Sequence, residues 1–354
     1  MNMLANVPGA DEQLQFLANI QRLFAESNFT ATYKFALLSA LADIAIESGA
    51  DDALPMVITT RQIAEKFILL YWHHVLPYAA GTRGTVPGVL VQNSGEQASV
   101  VSAILAFRRV HSATTPQIAQ NLPSYRLLVS KVALTVSAQP LNFLQNFGES
   151  SNEFIYTRAG IGRIELKAGV AYCLRRFYPL VQQLARANWI LHIKRNPRNH
   201  PILGQADDLE NFLFAASRQS LSAMAVGLKK LDGPKCFYCG RTVADADVDH
   251  FIPFSQYPRD LAHNFVLAHP KCNRSKSDTL AASAHLERWL ARIERLTDDL
   301  SEIGVGAGMP VNLNVTQRVA AWGYTGAIAH GGNAWLAPNQ YEHIDRHYER
   351  FFMQ

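Results

Sequence analysis

The sequence predicts a mainly α-helical protein with one short strand–strand–helix module near its C-terminal end. Apolar residues recur at intervals of three and four through most of the 354 residues, which is the spacing of helices that bury one face. Residues 236–276 break this pattern with paired cysteine and histidine residues around an Asp-His dipeptide. No stretch reaches the roughly 18 uninterrupted apolar residues of a membrane span, so we expect no membrane insertion.

The front part of the chain reads as a series of helices. The predicted helices cover residues 11–26, 30–48, 59–76, 97–111 and 116–137, and the last is bent or split at Pro123. Thr59 or Thr60 supplies the cap of the third helix. Residues 153–157 and 161–166, separated by Arg158-Ala159-Gly160, are predicted to form a short hairpin.

Positive charge is concentrated in the middle of the chain. Residues 101–204 carry 13 lysines and arginines against three acidic residues, whereas the whole chain has a net charge of only +4. Such a segment is typical of a surface that binds nucleic acid, although an ordinary solvated helix face is the alternative. The candidate contacts are Arg175, Arg176, Arg186, Lys194, Arg195 and Arg198.

The same segment predicts a helix with a kink or break at Pro179. Helical spacing gives this helix an apolar face, which leaves much of the charge facing outward. The predicted face consists of Leu174, Phe177, Leu180, Val181, Leu184, Ala187 and Leu191.

The C-terminal part of the chain is also predicted to be helical. Helices are expected at 278–300, 313–329 and 339–352, with Gly304–Gly308 as a linker because this segment lacks the lysine and hydroxyl of a phosphate loop. The predicted organisation is therefore a helical recognition or regulatory region over 1–230, a compact module over 231–285 and a helical tail over 286–354.

Two pairs of soft ligands in the module have the spacing of a structural zinc site. Cys236 and Cys239 are separated by two residues, as are His269 and Cys272. A Cys3His set can hold Zn²⁺ tetrahedrally. His263 is the alternative fourth ligand, although it lies outside the two-residue spacing.

Cysteine usage bears on the compartment. Only four cysteines occur, and three belong to the zinc pattern. Cys173 is then left without a disulfide partner, and its apolar neighbours predict a small buried residue. We therefore expect a reducing compartment and a cytoplasmic protein.

Residues between the two ligand pairs have the chemistry needed to hydrolyse a phosphodiester. The imidazole of His250 can act as a general base near neutral pH. Asp249 and Asn273 offer hard oxygen ligands for a catalytic Mg²⁺ or Mn²⁺, which can stabilise the developing charge. Lys271, Arg274 and Lys276 add positive charge near the predicted helix start, where phosphate is favoured.

The arrangement of Cys236-Phe-Tyr-Cys239, Asp249-His250, Asn264 and Cys272-Asn273 resembles the HNH endonuclease family, also called His-Me finger or ββα-metal. The chain is similar to the zinc-bearing variant whose last motif residue is asparagine. The resemblance implies a ββα-metal nuclease fold with His250, Asn264, Asn273 and Asp249 as catalytic residues. It also implies that Asn264 pins the loop that orients His250.

Three functional hypotheses follow. The first is a metal-dependent DNA endonuclease that acts in anti-phage defence and is gated by partner proteins, because the layout resembles HNH effectors of bacterial defence systems such as Zorya type II. One Asp-His and one Cys-Asn motif predict that such an enzyme nicks duplex DNA. The second is a stand-alone restriction-like or modification-dependent endonuclease. The third is a zinc module that binds nucleic acid without cutting it. The sequence specifies neither the target nor the oligomeric state.

Overall fold

The computed structural model describes residues 7–81, 84–112, 115–148, 150–204, 208–215 and 218–352. The chain divides into two compact units, Met1–Ala215 and Ala216–Gln354. The boundaries expected at residues 230 and 285 from the sequence stay a prediction. Among the described residues, no helix combines the length and the apolar character needed to cross a membrane.

Helices make up most of the first unit. They are α1 (Ala10–Glu26), α2 (Tyr33–Ser48), α3 (Thr60–Tyr71), α4 (Ser99–His111), α5 (Pro116–Gln120), α6 (Tyr125–Ala138), α7 (Pro140–Phe143), α8 (Val170–Arg176), α9 (Tyr178–Arg195), α10 (His200–Leu203) and α11 (Leu209–Phe214). The split at Pro123 is confirmed, because α5 ends before it and α6 begins after it. Thr59 caps α3 through a reciprocal pair of hydrogen bonds with Gln62, as its sequence predicts.

Helix α2 lies at the centre of this unit because it is buried on every side. All residues from Tyr33 to Ile46 are buried, and α3, α8 and α9 pack around them. A helix that is apolar all round must be covered on all its faces. Its buried acid, Asp43, accepts hydrogen bonds from the Tyr178 hydroxyl at 2.7 Å and from Gln182 Nε2 at 2.9 Å.

A small antiparallel sheet completes the first unit. Its strands are β1 (Met56–Thr59), β4 (Tyr156–Arg158) and β5 (Arg163–Leu166), in the order β1-β5-β4. A separate two-residue pair joins β2 (Asn146–Phe147) to β3 (Ser150–Ser151). The β4–β5 pairing confirms the predicted hairpin, whereas β1 was not expected from the sequence.

The basic segment forms two helices, α8 and α9, which are separated at Phe177, and Pro179 lies in the first turn of α9. The predicted apolar face is confirmed only in part, since Leu174 and Val181 are buried but Leu180 and Leu191 are 42% and 44% exposed. The buried face of α9 carries residues four apart, and this face packs against α2. The break at Phe177 explains the difference, because it interrupts the continuous period on which the prediction was based. The buried residues of α9 are Tyr178, Val181, Gln182, Ala185, Trp189 and Ile193.

Arg175 also differs from its predicted outward orientation, because only 6% of it is exposed. Its guanidinium donates to both oxygens of Asp51 at 2.8 and 3.0 Å, and to the carbonyl oxygens of Ala45 and Ile46 at 3.2 and 3.1 Å. The carbonyl oxygen of Ala45 also accepts from the capping Gly49 N–H, whereas that of Ile46 lies in the last turn of α2, where helix carbonyls lack an intrahelical donor. Arg175 is therefore a structural residue of the first unit, and its predicted role in binding nucleic acid is corrected.

The other basic candidates of this segment have accessible surface. Arg176, Lys194, Arg195 and Arg198 are exposed, and Arg186 is half-buried with its guanidinium 5.1 Å from the centre of the Phe214 ring. Contact of these five residues with nucleic acid stays a prediction.

The second unit surrounds a ββα module with helices and a final hairpin. Its elements are α12 (Arg218–Asp232), β6 (Asp247–His250), β7 (Phe265–Ala268), α13 (Pro270–Lys276), α14 (Ser283–Arg295), α15 (Thr297–Ala307), α16 (Leu313–His330), β8 (Asn333–Ala337) and β9 (Gln340–His343). Strands β6 and β7 pair antiparallel and lead directly into α13. The predicted fold class, mainly α with a small ββα module near the C-terminal end, is confirmed.

Three details of the tail differ from the prediction. The single helix expected at 278–300 is two helices, α14 and α15, which are separated at Leu296. Gly304–Gly308 is not a linker, because it contains the end of α15 and the left-handed residue that closes the helix. Gly304 is needed there, since a Cβ atom would lie 2.4 Å from that of Ala262. Residues 339–352 begin with β9 and end in a 3-10 turn, Arg346–Phe351, because Asn339 adopts a φ of 64° and reverses the chain from β8 into β9.

Candidate active site

The β6–β7 hairpin sets the positions of the candidate catalytic residues. Asp247 lies opposite Ala268, and His250 lies opposite Phe265. Every residue of β7 is buried, which makes β6 the more accessible strand of the pair. Because side chains alternate along a strand, Asp247 and Asp249 project from the same face of β6.

The four predicted zinc ligands come together beside this hairpin. One ligand atom from each residue lies within 4.8 Å of the others in the group Cys236, Cys239, His269 and Cys272. A tetrahedral zinc with bonds of about 2.3 Å holds its ligands about 3.8 Å apart, so the group can close around one ion. The cluster therefore fits Zn²⁺ in both its chemistry and its dimensions.

His269 is oriented to contribute Nδ1 to this group. Its Nε2 lies 3.1 Å from the carbonyl oxygen of Thr242, which can only accept, so Nε2 carries the hydrogen. Nδ1 then faces the Cys239 sulfur at 3.2 Å. The alternative ligand, His263, is not part of the group, and its Nε2 instead lies 3.4 Å from Ser301 Oγ.

The thiols show why this cluster favours a cation. Burial and, to a smaller extent, the neighbouring Cys236 and Cys239 raise the pKa of Cys272 to about 12. Burial also raises the pKa of Cys239, but hydrogen bonds with Arg241, Cys236 and His269 outweigh that effect and lower it to about 7. Three clustered sulfurs cannot all ionise without a positive charge among them, and a bound metal deprotonates its thiol ligands.

His250 is held by an acid that the sequence did not point to. Its Nε2 lies 2.8 Å from Oδ1 of Asp260, and the side chains are 20% and 15% exposed. A carboxylate only accepts, so Nε2 carries the hydrogen and Nδ1 is the basic nitrogen of the neutral ring. The ring also packs against Phe265, with 4.4 Å between the centroids. Asp260 has no motif spacing that could have identified it.

Asn264 holds the start of the loop that carries Asp260. Its Oδ1 accepts from the backbone N–H of Ile252 at 2.8 Å, and its Nδ2 donates to the carbonyl oxygen of Ile252 at 2.9 Å. The side chain therefore satisfies both backbone groups of one residue. Asn264 is 4% exposed, and Ile252 directly follows the segment that contains His250.

Asp249 is a buried carboxylate with two partners. The hydroxyl of Tyr238 donates to its Oδ2 at 2.5 Å, and Nζ of Lys276 lies 3.2 Å from the same oxygen. Lys276 also donates to the carbonyl oxygen of His250 at 2.8 Å. Burial and the charge of Asp249 both raise the pKa of Tyr238, which keeps its hydroxyl protonated as a donor.

Lys276 is therefore placed differently from its predicted position on a phosphate-binding surface. Its side chain is 0% exposed, so it neutralises Asp249 and does not face solvent. Burial lowers the pKa of Lys276, and Asp249 opposes that shift. Lys271 and Arg274, the other candidates on α13, are exposed.

Hard oxygen donors lie together on this side of the module. Asn273 donates from Nδ2 to Oδ2 of Asp247 at 3.1 Å, which leaves its Oδ1 as an acceptor. Asp249 lies two residues from Asp247 on the same strand face. Carboxylate and amide oxygens fit Mg²⁺ or Mn²⁺ and suit these ions better than they suit zinc. Asp249 and Asn273 thus have the right chemistry for a catalytic metal, and Asp247 adds an oxygen that the sequence analysis missed.

Two family models match different parts of the chain. The family described as a domain of unknown function (DUF8808) matches residues 13–213, which is more than half of the chain. The HNH endonuclease family matches residues 236–279. The second range contains the whole Cys3His group as well as Asp249 and His250, so the resemblance to HNH nucleases is supported. Neither curated proteins nor solved structures gave a match.

Replacing Lys276 by methionine should destabilise the chain by about 3–5 kcal/mol, because the Asp249 carboxylate would stay buried without its cation. Denaturant titration of the intact chain measures this change in the free energy of unfolding. The matched control is Lys271→Met, an exposed lysine on the same helix, which should change stability by at most about 0.5 kcal/mol. Equal effects of the two substitutions would contradict the buried ion pair.

Purified protein should contain one zinc per chain, and Cys239→Ser should lose it. Structural zinc contributes about 10–16 kcal/mol of apparent folding free energy in small zinc modules, so this variant should become protease-sensitive within 231–285. Elemental analysis and limited proteolysis measure the two effects. Cys173→Ser, a cysteine outside the cluster, should keep its zinc. A zinc-free wild-type protein that is stable and protease-resistant would rule out the site.

Proposed function

The chain belongs to the family described as a domain of unknown function, DUF8808, and we propose that its HNH segment makes it a metal-dependent endonuclease that hydrolyses DNA. The observation that carries this proposal is the pairing of His250 with Asp260 on a hairpin that also bears Asp249 and faces Asn273. A zinc module that only binds nucleic acid needs none of these groups. A hydrolase needs a base and hard metal ligands.

The proposed reaction uses His250 as general base. Nδ1 accepts a proton from water, the water oxygen forms a bond to phosphorus, and the bond from phosphorus to the 3′ oxygen breaks. Asp260 keeps the hydrogen on Nε2 and stabilises the positive ring that forms. Asp249 and Asn273 would hold Mg²⁺ or Mn²⁺, and the bound ion would supply positive charge near the phosphate and the departing oxygen. The 3′ oxygen then takes a proton from solvent, so the products are a 5′ phosphate and a 3′ hydroxyl.

One chain should cut one strand in each encounter. It carries a single Asp249-His250 pair and a single Cys272-Asn273 pair, hence one catalytic centre. Duplex DNA is the proposed substrate, and nicking is the expected first product. Mg²⁺ or Mn²⁺ is the proposed catalytic ion, and Zn²⁺ the proposed structural one.

We propose an anti-phage defence role in the cytoplasm, gated by partner proteins. Its support is the layout, in which a long helical region precedes a late HNH segment, as in effectors of the Zorya type II kind. The neighbouring genes offer a direct check, because a gated effector should lie beside sensor or motor genes. A chain encoded alone that cuts unmodified or modified DNA by itself would favour a restriction-like enzyme instead.

The experiment that tests the nuclease proposal is a supercoiled plasmid assay with Mg²⁺ or Mn²⁺. Wild-type protein should give open-circle DNA before linear DNA, EDTA should abolish the reaction, and DNA ligase should seal the nicks. His250→Ala should slow cleavage about 10²-fold or more, because a positioned general base contributes about 10²- to 10⁴-fold. Asp260→Asn should lower the cleavage rate at unchanged DNA affinity.

The control for this assay is His343→Ala, since His343 is an exposed histidine of the same unit. It should cut like the wild type. Full activity of His250→Ala would refute the assignment of the base. Immediate linearisation at low enzyme concentration would indicate that two chains pair and cut both strands together. DNA binding without any cleavage would favour the hypothesis of a zinc module that only binds nucleic acid.

The exposed end of the basic segment is proposed to bind DNA phosphates. The double substitution Arg195→Glu, Arg198→Glu should weaken duplex binding and flatten its salt dependence, because each lost phosphate contact removes about 0.9 from the log–log slope. Binding is measured across a salt series. The charge-matched control is Arg22→Glu, Arg61→Glu, two exposed arginines paired within their own helices. Equal slopes for both variants would mean that the segment is a solvated helix face.

A further inference from the structure

Tyr238 connects the zinc cluster to the candidate catalytic site. It lies inside the Cys236–Cys239 pair, next to the ligand Cys239. Its hydroxyl reaches Oδ2 of Asp249 at 2.5 Å, and the residue is 5% exposed. A residue of the zinc-binding segment Cys236–Cys239 therefore contacts the carboxylate that is proposed to hold the catalytic Mg²⁺ or Mn²⁺.

The backbone around Tyr238 is fixed by hydrogen bonds. The N–H of Phe237 donates to the carbonyl oxygen of Leu267 on β7 at 2.7 Å. Arg288 on α14 donates to the carbonyl oxygens of Phe237 and Tyr238 at 2.7 and 3.3 Å. With zinc bound through Cys236 and Cys239, this short segment is held on both sides.

The ring of Tyr238 is also confined. Trp335 and His285 pack against it at near-perpendicular angles, with centroid distances of 5.2 and 5.3 Å. Such edge-to-face pairs fix both the position and the tilt of the ring. The hydroxyl therefore points at Asp249 from a rigid base, and it donates to one oxygen of a carboxylate that can accept several bonds.

We propose that Tyr238 is a positioning residue that orients Asp249 for the catalytic Mg²⁺ or Mn²⁺, and thereby couples that metal to the zinc cluster. This inference rests on the proposed function. Lys276 supplies the positive charge opposite Asp249, while the Tyr238 hydroxyl sets the direction of the carboxylate. Partners that orient a metal ligand typically contribute 10- to 100-fold in metal affinity or activity.

The test is the affinity for Mn²⁺ of the zinc-loaded full chain, titrated by electron paramagnetic resonance. Tyr238→Phe removes one hydroxyl and keeps the ring, so the Kd for Mn²⁺ should rise about 10- to 100-fold while zinc content stays at the wild-type value. Cleavage should recover when Mn²⁺ is raised above the new Kd, because the variant still has its base.

The matched control is Tyr324→Phe. Tyr324 is fully buried in the same unit, and its hydroxyl donates to the carbonyl oxygen of Ala281 at 2.6 Å. It thus loses one buried hydrogen bond, as Tyr238→Phe does, but that bond is not made to Asp249. Its Tm should fall by a similar amount, while its Kd for Mn²⁺ should match the wild type.

The outcomes separate this inference from the proposed function. Equal Kd values for Tyr238→Phe and the wild type would overturn the positioning role alone. Equal weakening in both tyrosine variants would also overturn it, because the cause would be a general loss of stability. A wild-type protein whose Mn²⁺ binding is absent, or is unchanged by Asp249→Ala, would instead refute the assignment of the catalytic metal, and the inference with it.

Discussion

The carboxylate of Asp249 lies almost out of contact with water, and the residues that stabilise it come from separate parts of the second unit. Lys276 lies at the end of α13, and Tyr238 lies in the zinc-binding segment Cys236–Cys239. A buried charge costs several kcal/mol unless it is paired and hydrogen-bonded. A different element places each of these residues. Strand β6, helix α13 and the Cys236–Cys239 segment must therefore all be in position before Asp249 is paired.

A similar constraint operates in the first unit, where buried polar groups lie at the C-terminal end and at the centre of α2. Arg175 donates to the carbonyl oxygens of Ala45 and Ile46, and Asp43 is held by Tyr178 and Gln182. The most basic segment of the sequence is thus divided between two environments. Arg175 stabilises the helical core, whereas Arg195 and Arg198 lie at the surface.

Local spacing predicted the features that depend on local geometry. The ligand pairs begun by Cys236 and His269 follow from the two-residue spacing, and the helices follow from their apolar period. Tertiary contacts decided the remainder. The Lys276 side chain is buried because it pairs with the Asp249 carboxylate. The buried face of α9 differs from the predicted one because the helix breaks at Phe177. No sequence spacing relates Asp260 to His250.

The C-terminal hairpin has a consequence for how the HNH segment can be moved between proteins. Trp335 donates its indole N–H to Ser275 on α13 at 3.0 Å, and its backbone pairs with Leu280 and Ala282. The range matched by the HNH family ends at residue 279, some 56 residues before this tryptophan. A gene fusion that carried only the matched range would lack Trp335. The Tyr238 ring would then lose an aromatic contact, and Ser275 on α13 would lose a hydrogen bond. A fusion that keeps these contacts must therefore also include the chain through β9, the partner strand of β8.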